Sequence, residues 1–527
     1  MTQRNRRIVT FAVMMGTALA ALDVTVVSTA MPTIIGHLGS LSLYPWVFSA
    51  YLLTSTISMP IYGKLSDIYG RKRMFALGAT IFLIGSALCG TATSMPLLIL
   101  YRTLQGLGAG GVQPMTMTII GDIYSMEERG RIQGLFSSVW SISSIVGPAV
   151  GGLMTQYLSW RGIFYMNVPF GIISIFLLWK YLDEKLEPRR VRIDYLGTGL
   201  LCIGVTALLL AILEGGTDFP WDSLPILALF GVAAFCAALF IWQEFRAPEP
   251  ILPPPLFRRR IISVSMFGSV LLGILIVAIP SYLPLYVQGV LGGTALVAGL
   301  AVAPLSVLWP AGSYLCGRLV LRLGYRVSGL AGVVLSMLGM ALLIPLGWFN
   351  LSTTAQGACI LIGTGIAGFG MGTISLTYLL AVQNSVPWNQ RGVSTASSQF
   401  ARSIGGAVGV SAMGAVLNAQ LASQLLAQGI NLGAIADPGQ PGQSLTVSSL
   451  LRPETRAALP VDLVARLVGP LGDALHLVFL IIVAVAIAGL LAAWWLPGGK
   501  VLPTAESKEG QAAAPVEAGS LAAEATL

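Results

Sequence analysis

Two charged residues sit where charge is costly. Asp23 is the only acid in the apolar run from about Ile8 to Met31, and Arg102 lies inside a second run, 96 to 120. A charged side chain near the centre of a membrane helix costs about 2.5 to 3.5 kcal/mol on insertion scales, so such groups face a bundle interior or a water-filled cavity and mark ion or proton pathways. Counted from the same outer side at about 1.5 Å per residue, the two fall at similar depth and can pair. Burial opposes ionisation of a carboxyl and an adjacent guanidinium favours it, and a carboxyl under both influences can take up and release a proton. Asp23 and Arg102 are therefore the candidate proton-coupling site, with a purely structural ion pair as the alternative.

The elements that hold them must be membrane helices. The chain of 527 residues is 55% apolar and 10% charged, with a mean hydropathy of +0.80, outside the range of soluble domains. Fourteen apolar runs between residues 8 and 496 are near the length that spans a bilayer. Their even number puts both termini on one side. With that side cytoplasmic, 24 of the 30 Lys and Arg residues fall in inside segments, four in outside segments, and Arg102 and Arg402 within spans. The net charge of +8 thus reports orientation in the bilayer and implies no nucleic-acid partner. The basic start followed by an apolar run mimics a signal peptide, but the run is too long and contains Asp23, so it reads as an uncleaved first span.

Internal echoes define the organisation. Gly63-Lys64-Leu65-Ser66-Asp67, after the second span, resembles Gly317-Arg318-Leu319-Val320-Leu321, after the tenth. Arg129-Gly130 before the fifth span pairs with Arg391-Gly392 before the thirteenth, and Gly147 with Gly409 inside those spans. Such parallel repeats predict an all-α polytopic protein of two six-helix bundles, 1–192 and 261–499, with two inserted spans, 193–243, and a Pro-rich basic linker, 244–260. An outside loop is expected at 419–471, and 500–527 reads as a disordered cytoplasmic tail.

Three further stretches carry chemistry. In GKLSDIYGRKR (63 to 73), Gly63 and Gly70 permit a tight reversal, Asp67 can accept from backbone amides or pair with Arg71, and Arg73 keeps the loop cationic. In VGPAVGG (146 to 152), Pro148 removes a backbone donor while Gly147, Gly151 and Gly152 leave a small-residue face for close packing, expected against the second bundle near Gly409. Gln105, Gln113, Trp140, Asn167, Trp309, Tyr378, Gln399 and Arg402 are polar or aromatic residues within spans and are candidates to line a central cavity. Two GxGxxG matches, at Gly106 and at Gly363, follow no strand and lie in apolar spans, so they read as helix packing and not as a nucleotide site. All five cysteines lie in apolar spans without metal-ligand spacing, and no cofactor or metal site is expected.

Together with LDVTVVSTAMP (22 to 32), YRTLQGLGAGG (101 to 111) and WRGIFYMNVPFG (160 to 171), these stretches make the chain resemble the fourteen-helix drug:proton antiporter family of the major facilitator superfamily across residues 8 to 496. The resemblance implies a transporter, not an enzyme. It makes Asp23 and Arg102 the proton-coupling pair, 63 to 73 a conformational latch, and 146 to 152 the antiporter motif of exporters. Leu321 stands where Asp67 would have its counterpart, so the second latch is expected to be weak or absent. The implied partners are protons, the lipid bilayer and hydrophobic or cationic small molecules, handled by a monomer in a bacterial inner membrane. An adaptor protein is left open.

Overall fold

The computed structural model describes residues 1–40, 43–184, 194–216, 219–344, 352–428, 430 and 461–499. Among them the architecture is wholly helical. The first group comprises α1 (Gln3–Leu38), α2 (Tyr44–Tyr69), α3 (Arg71–Thr91), α4 (Met95–Ile123), α5 (Met126–Tyr157) and α6 (Asn167–Tyr181). The pair α7 (Tyr195–Glu214) and α8 (Leu224–Glu244) follows, then α9 (Arg260–Gly289). The run Ala295–Ala341 breaks at Gly324, whose φ of 83° is the left-handed region that glycine tolerates, giving α10 (295–323) and α11 (325–341). Completing the set are α12 (Thr353–Asn384), α13 (Arg391–Ala427) and α14 (Val461–Trp494).

Eleven of these helical runs are long and apolar enough to cross a membrane, the broken α10–α11 run counting as one. α2 and α4, with 26 and 29 residues, have the length, but polar residues or glycines interrupt their apolar stretches.

α1 to α6 pack on one another and α9 to α14 on one another. The two bundles meet along two seams, α2 with α13 and α5 with α10. Close approach at the seams depends on glycine. A Cβ added to Gly130 would run into Gly317, and one at Gly63 would meet Ala396 and the Gly392 carbonyl. The internal echoes thus face each other across the molecule: the first-bundle loop glycine meets the Arg-Gly step of the second bundle, and the reverse pairing forms the other seam.

The inserted pair occupies only one seam. Leu201, Val205 and Leu209 of α7 pack against Ile57 of α2 and against Phe400 and Ile404 of α13. Behind it the 244–260 segment is held down where Glu244 accepts from the Ile251 and Leu252 amides at 3.1 and 2.9 Å, and Glu249 pairs with Lys64 at 2.8 Å.

The loop drawn at 419–471 is shorter than its sequence suggests. α13 continues to Ala427 and α14 already begins at Val461. The cause is an apolar stripe at four-residue spacing, Leu417, Leu421 and Leu425, which buries against Leu467 and Leu471 and extends both helices past the apolar run. The remainder of that loop, 431–460, and the tail 500–527 lie outside the described residues.

Candidate functional site

Asp23 and Arg102 are in contact. Arg102 Nη1 donates to Asp23 Oδ2 at 2.5 Å, and both side chains are inaccessible to solvent. The other carboxylate oxygen accepts from Gln105 Nε2 at 2.8 Å and Asn167 Nδ2 at 3.3 Å. Asn167 also donates to Ser86 Oγ at 3.0 Å, and Ser86 to the Phe164 carbonyl at 2.8 Å. Four helices, α1, α3, α4 and α6, therefore converge on one carboxylate. The guanidinium has further partners: Gln105 Oε1 at 2.8 Å, the Val47 carbonyl at 3.4 Å and the Tyr51 ring 4.3 Å away. If Asp23 takes a proton, Arg102 keeps these contacts, which lowers the cost of breaking the pair. Gln105 and Asn167, grouped by sequence with the cavity residues, face Asp23 inside the first bundle.

A second cluster joins the bundles at the face that carries Gln3, here called the N-side. Asp67 reaches across the seam and caps α13, its carboxylate accepting from the Gly392 and Val393 amides at 2.9 and 2.8 Å. A helix amino terminus presents unsatisfied N–H groups and partial positive charge, so the carboxylate is held by geometry and by electrostatics. Arg71 Nη2 donates to Asp67 at 2.9 Å and to the Trp388 carbonyl at 2.6 Å, with its guanidinium 3.7 Å above the Trp388 ring. Asp122 bridges Arg71 and Arg391 at 3.1 and 2.7 Å. Gly70, with φ 95°, makes the turn into α3, while Arg73 is exposed. Sequence reasoning missed Asp122 and Trp388, because the cluster gathers residues up to 326 positions apart.

The second seam lacks this apparatus. Among the described residues no ion pair crosses from α5 to α10, and Leu321 occupies the place that matches Asp67; the seam is made by Gly130 on Gly317 and by Ser141 Oγ donating to the Ser306 carbonyl at 2.5 Å.

The asymmetry yields a test. Asp67→Ala removes both bonds to α13, each charge-assisted bond contributing about 1.5–3 kcal/mol, so disulfide crosslinking between cysteines at the N-side ends of α2 and α13 should fall several-fold. Leu321→Ala should leave it unchanged. Undiminished crosslinking in Asp67→Ala would refute the latch.

The glycine face of α5 corrects one expectation. Its partner is α1 of the same bundle, not α13: a Cβ at Gly147 would strike Thr25, with Thr25 Cβ 2.7 Å away, and one at Gly151 would meet the Val26 carbonyl at 3.0 Å and Thr29 Cβ at 3.2 Å. Thr25 Oγ1 reinforces the contact by donating to the Ser143 carbonyl at 3.2 Å. Gly152 meets nothing within 4 Å, and Pro148 is exposed. Gly409 is the counterpart of Gly147 in the sense that it packs on Ile274 of α9, within its own bundle. Symmetry in the sequence marks equivalent positions, and here equivalent positions do not touch.

The remaining candidates scatter. Tyr378 is buried against Gly268 of α9. Gln113 and Trp309 are partly buried, and Trp140 is exposed. Gln399 and Arg402 of α13 line a pocket between the bundles, shared with Met117, Gln133, Ser269 and Ser375.

Comparison with known proteins decides the family. A model described as Major Facilitator Superfamily matches residues 13–410. The chain belongs to that superfamily. It is 37% identical over 428 residues to the Bacillus subtilis multidrug transporter protein MdtP, covering 79% of this chain and 76% of that one. It is 32% identical over 504 residues to multidrug resistance protein 3 of the same organism, covering 96% and 98%. Among solved structures, the proton:xylose symporter XylE matches with a TM-score of 0.60 at 15% identity, over 95% of this chain and 98% of that one, a likeness of fold alone. This chain is thus a multi-pass helical membrane transporter of the superfamily.

Proposed function

We propose that the protein is a proton-coupled antiporter that exports amphipathic or lipophilic compounds by alternating access. The observation that carries the reading is the mechanical link from Asp23 to the seam. Asp23 lies on α1 two residues from Thr25 and three from Val26, the residues on which Gly147 and Gly151 of α5 rest. α5 itself forms the α10 seam. A change of charge at Asp23 that shifts α1 is therefore transmitted to the helix along which the bundles slide.

The relatives named as multidrug transporters support export as the direction. The N-side is taken as cytoplasmic because the Lys and Arg residues concentrate there. On that basis the Asp67 and Asp122 cluster closes the cytoplasmic side, and bodies 1–192 and 261–499 rock about the two seams. Each proton entering down 100 mV supplies about 2.3 kcal/mol, enough for modest concentrative export.

Everted membrane vesicles containing the protein should accumulate Hoechst 33342 on acidification of the lumen and release it when nigericin collapses the pH gradient. Accumulation that is indifferent to nigericin would overturn proton coupling. Loss of dye from the lumen on acidification would mean uptake in the cell.

A further inference from the structure

We infer that the pocket between the bundles binds a substrate through an anionic group, with Arg402 as its counter-ion. This rests on the transport reading above and names its substrate class.

The interior charges are few, and their disposition differs between the bundles. In the first bundle Asp23 is fully engaged, accepting from Arg102, Gln105 and Asn167, and only 3% of the residue is accessible. It presents no free charge to a molecule lying between the bundles. A cationic substrate therefore finds no waiting carboxylate there.

In the second bundle the position is reversed. The chain carries no Asp or Glu between Glu249 and Asp437, so α9 to α13 contain no acid at all. Arg402 stands in the middle of this stretch, 11 positions into α13 from Arg391. That is about 16 Å along the helix, too far from the N-side end for the guanidinium to snorkel to water at that face. Among the described residues it makes no ion pair or hydrogen bond. Of the acids on α4 and α5, Asp122 is paired with Arg71 and Arg391, and Glu128 with Arg6 at 2.7 Å.

The pocket wall supplies neutral polar groups around that charge, of which Ser269 and Ser398 are hydrogen-bonded to each other at 3.0 Å. Gln133 comes from α5, Ser269 from α9, Ser375 from α12, and Ser398 and Gln399 from α13, with Met117, Leu272 and Leu379 as apolar neighbours. A planar guanidinium ringed by hydroxyls and amides suits a carboxylate or sulfonate, which it grips with two parallel hydrogen bonds. The methionine and leucines accommodate the apolar body of the same molecule. Both bundles contribute to the wall, so a bound anion touches each of the two bodies that the transport cycle moves.

The test uses one fluorophore with three end groups: dansylglycine, dansylglycinamide and dansylcadaverine, titrated into the purified full-length protein in detergent. Dansylglycine should bind at least tenfold more tightly than the neutral amide, and dansylcadaverine most weakly. Arg402→Gln should erase the preference for the carboxylate, and Arg402→Lys should retain part of it, since a point charge lacks the guanidinium fork. If Arg402→Gln does not fold, Gln399→Leu reads the same wall and should lower dansylglycine affinity more than that of the amide. A wild-type protein that binds the amide or the amine at least as tightly as the carboxylate overturns the assignment, as does an undiminished preference in Arg402→Gln. Binding in detergent needs no gradient, so failure here leaves the vesicle result for Hoechst 33342 standing, and failure of the vesicle assay leaves this titration readable.

Discussion

Asp23→Asn is expected to abolish accumulation driven by the pH gradient while leaving passive equilibration of dye. The substitution keeps the side chain's size but removes the only acid on α1. It also disturbs the ion pair: the new amide can serve Gln105 and Asn167 through its oxygen, but it leaves Arg102 buried without its counter-charge. Removing one partner of a buried pair destabilises by about 3–5 kcal/mol, so the single variant should also melt at lower temperature. Asp23→Asn/Arg102→Gln replaces both charges with neutral polar groups and should regain much of that stability without regaining coupling. The pair of measurements, melting temperature and nigericin-sensitive accumulation in vesicles, separates the two roles. A folded double variant that still concentrates dye against its gradient would place the proton carrier elsewhere.

That the pair could be read from the sequence has a simple cause. Depth in a membrane helix is arithmetic at 1.5 Å per residue, and Asp23 and Arg102 are far from other charges along the chain, so a match in depth was nearly a match in space. Fourteen helices and their grouping were legible for a similar reason, since apolar runs and loop charge are one-dimensional signals. The helix ends were less so. The stripe Leu417, Leu421 and Leu425 continues α13 beyond the apolar run because helical packing, not hydropathy, sets its end.

Rotation about a helix axis is what the sequence does not print. Gln105 is three residues from Arg102 and therefore on its face, whereas Gln399 and Arg402 share a face three residues apart on another helix and look out between the bundles. Gln105, Gln399 and Arg402 belonged to one group on composition, and only the packing sorts them. The N-side cluster was half visible: Asp67 and Arg71 are one turn apart, but Asp122, Trp388 and the α13 amides that complete it come from distant segments.

The glycines of α5 provide the sharpest contrast within one motif. Gly147→Leu should reduce coupled export by at least about tenfold, because the side chain must enter space already filled by Thr25, and overpacked contacts of this kind force helix shifts costing about 1–3 kcal/mol. Gly151→Leu should be intermediate, its nearest neighbours lying at 3.0 and 3.2 Å. Gly152→Leu, although in the same motif, meets nothing within 4 Å and should export within about twofold of the parent. A compensating change guards against a trivial folding defect: Thr25→Gly removes the atoms that a Cβ at position 147 would strike, so Gly147→Ala/Thr25→Gly should export better than Gly147→Ala alone. If the three leucine variants lose export equally, the glycines act through something other than the α1 contact. If the double variant shows no recovery, Thr25 is not the surface on which α5 moves, and the route from Asp23 to the α10 seam must run through another helix.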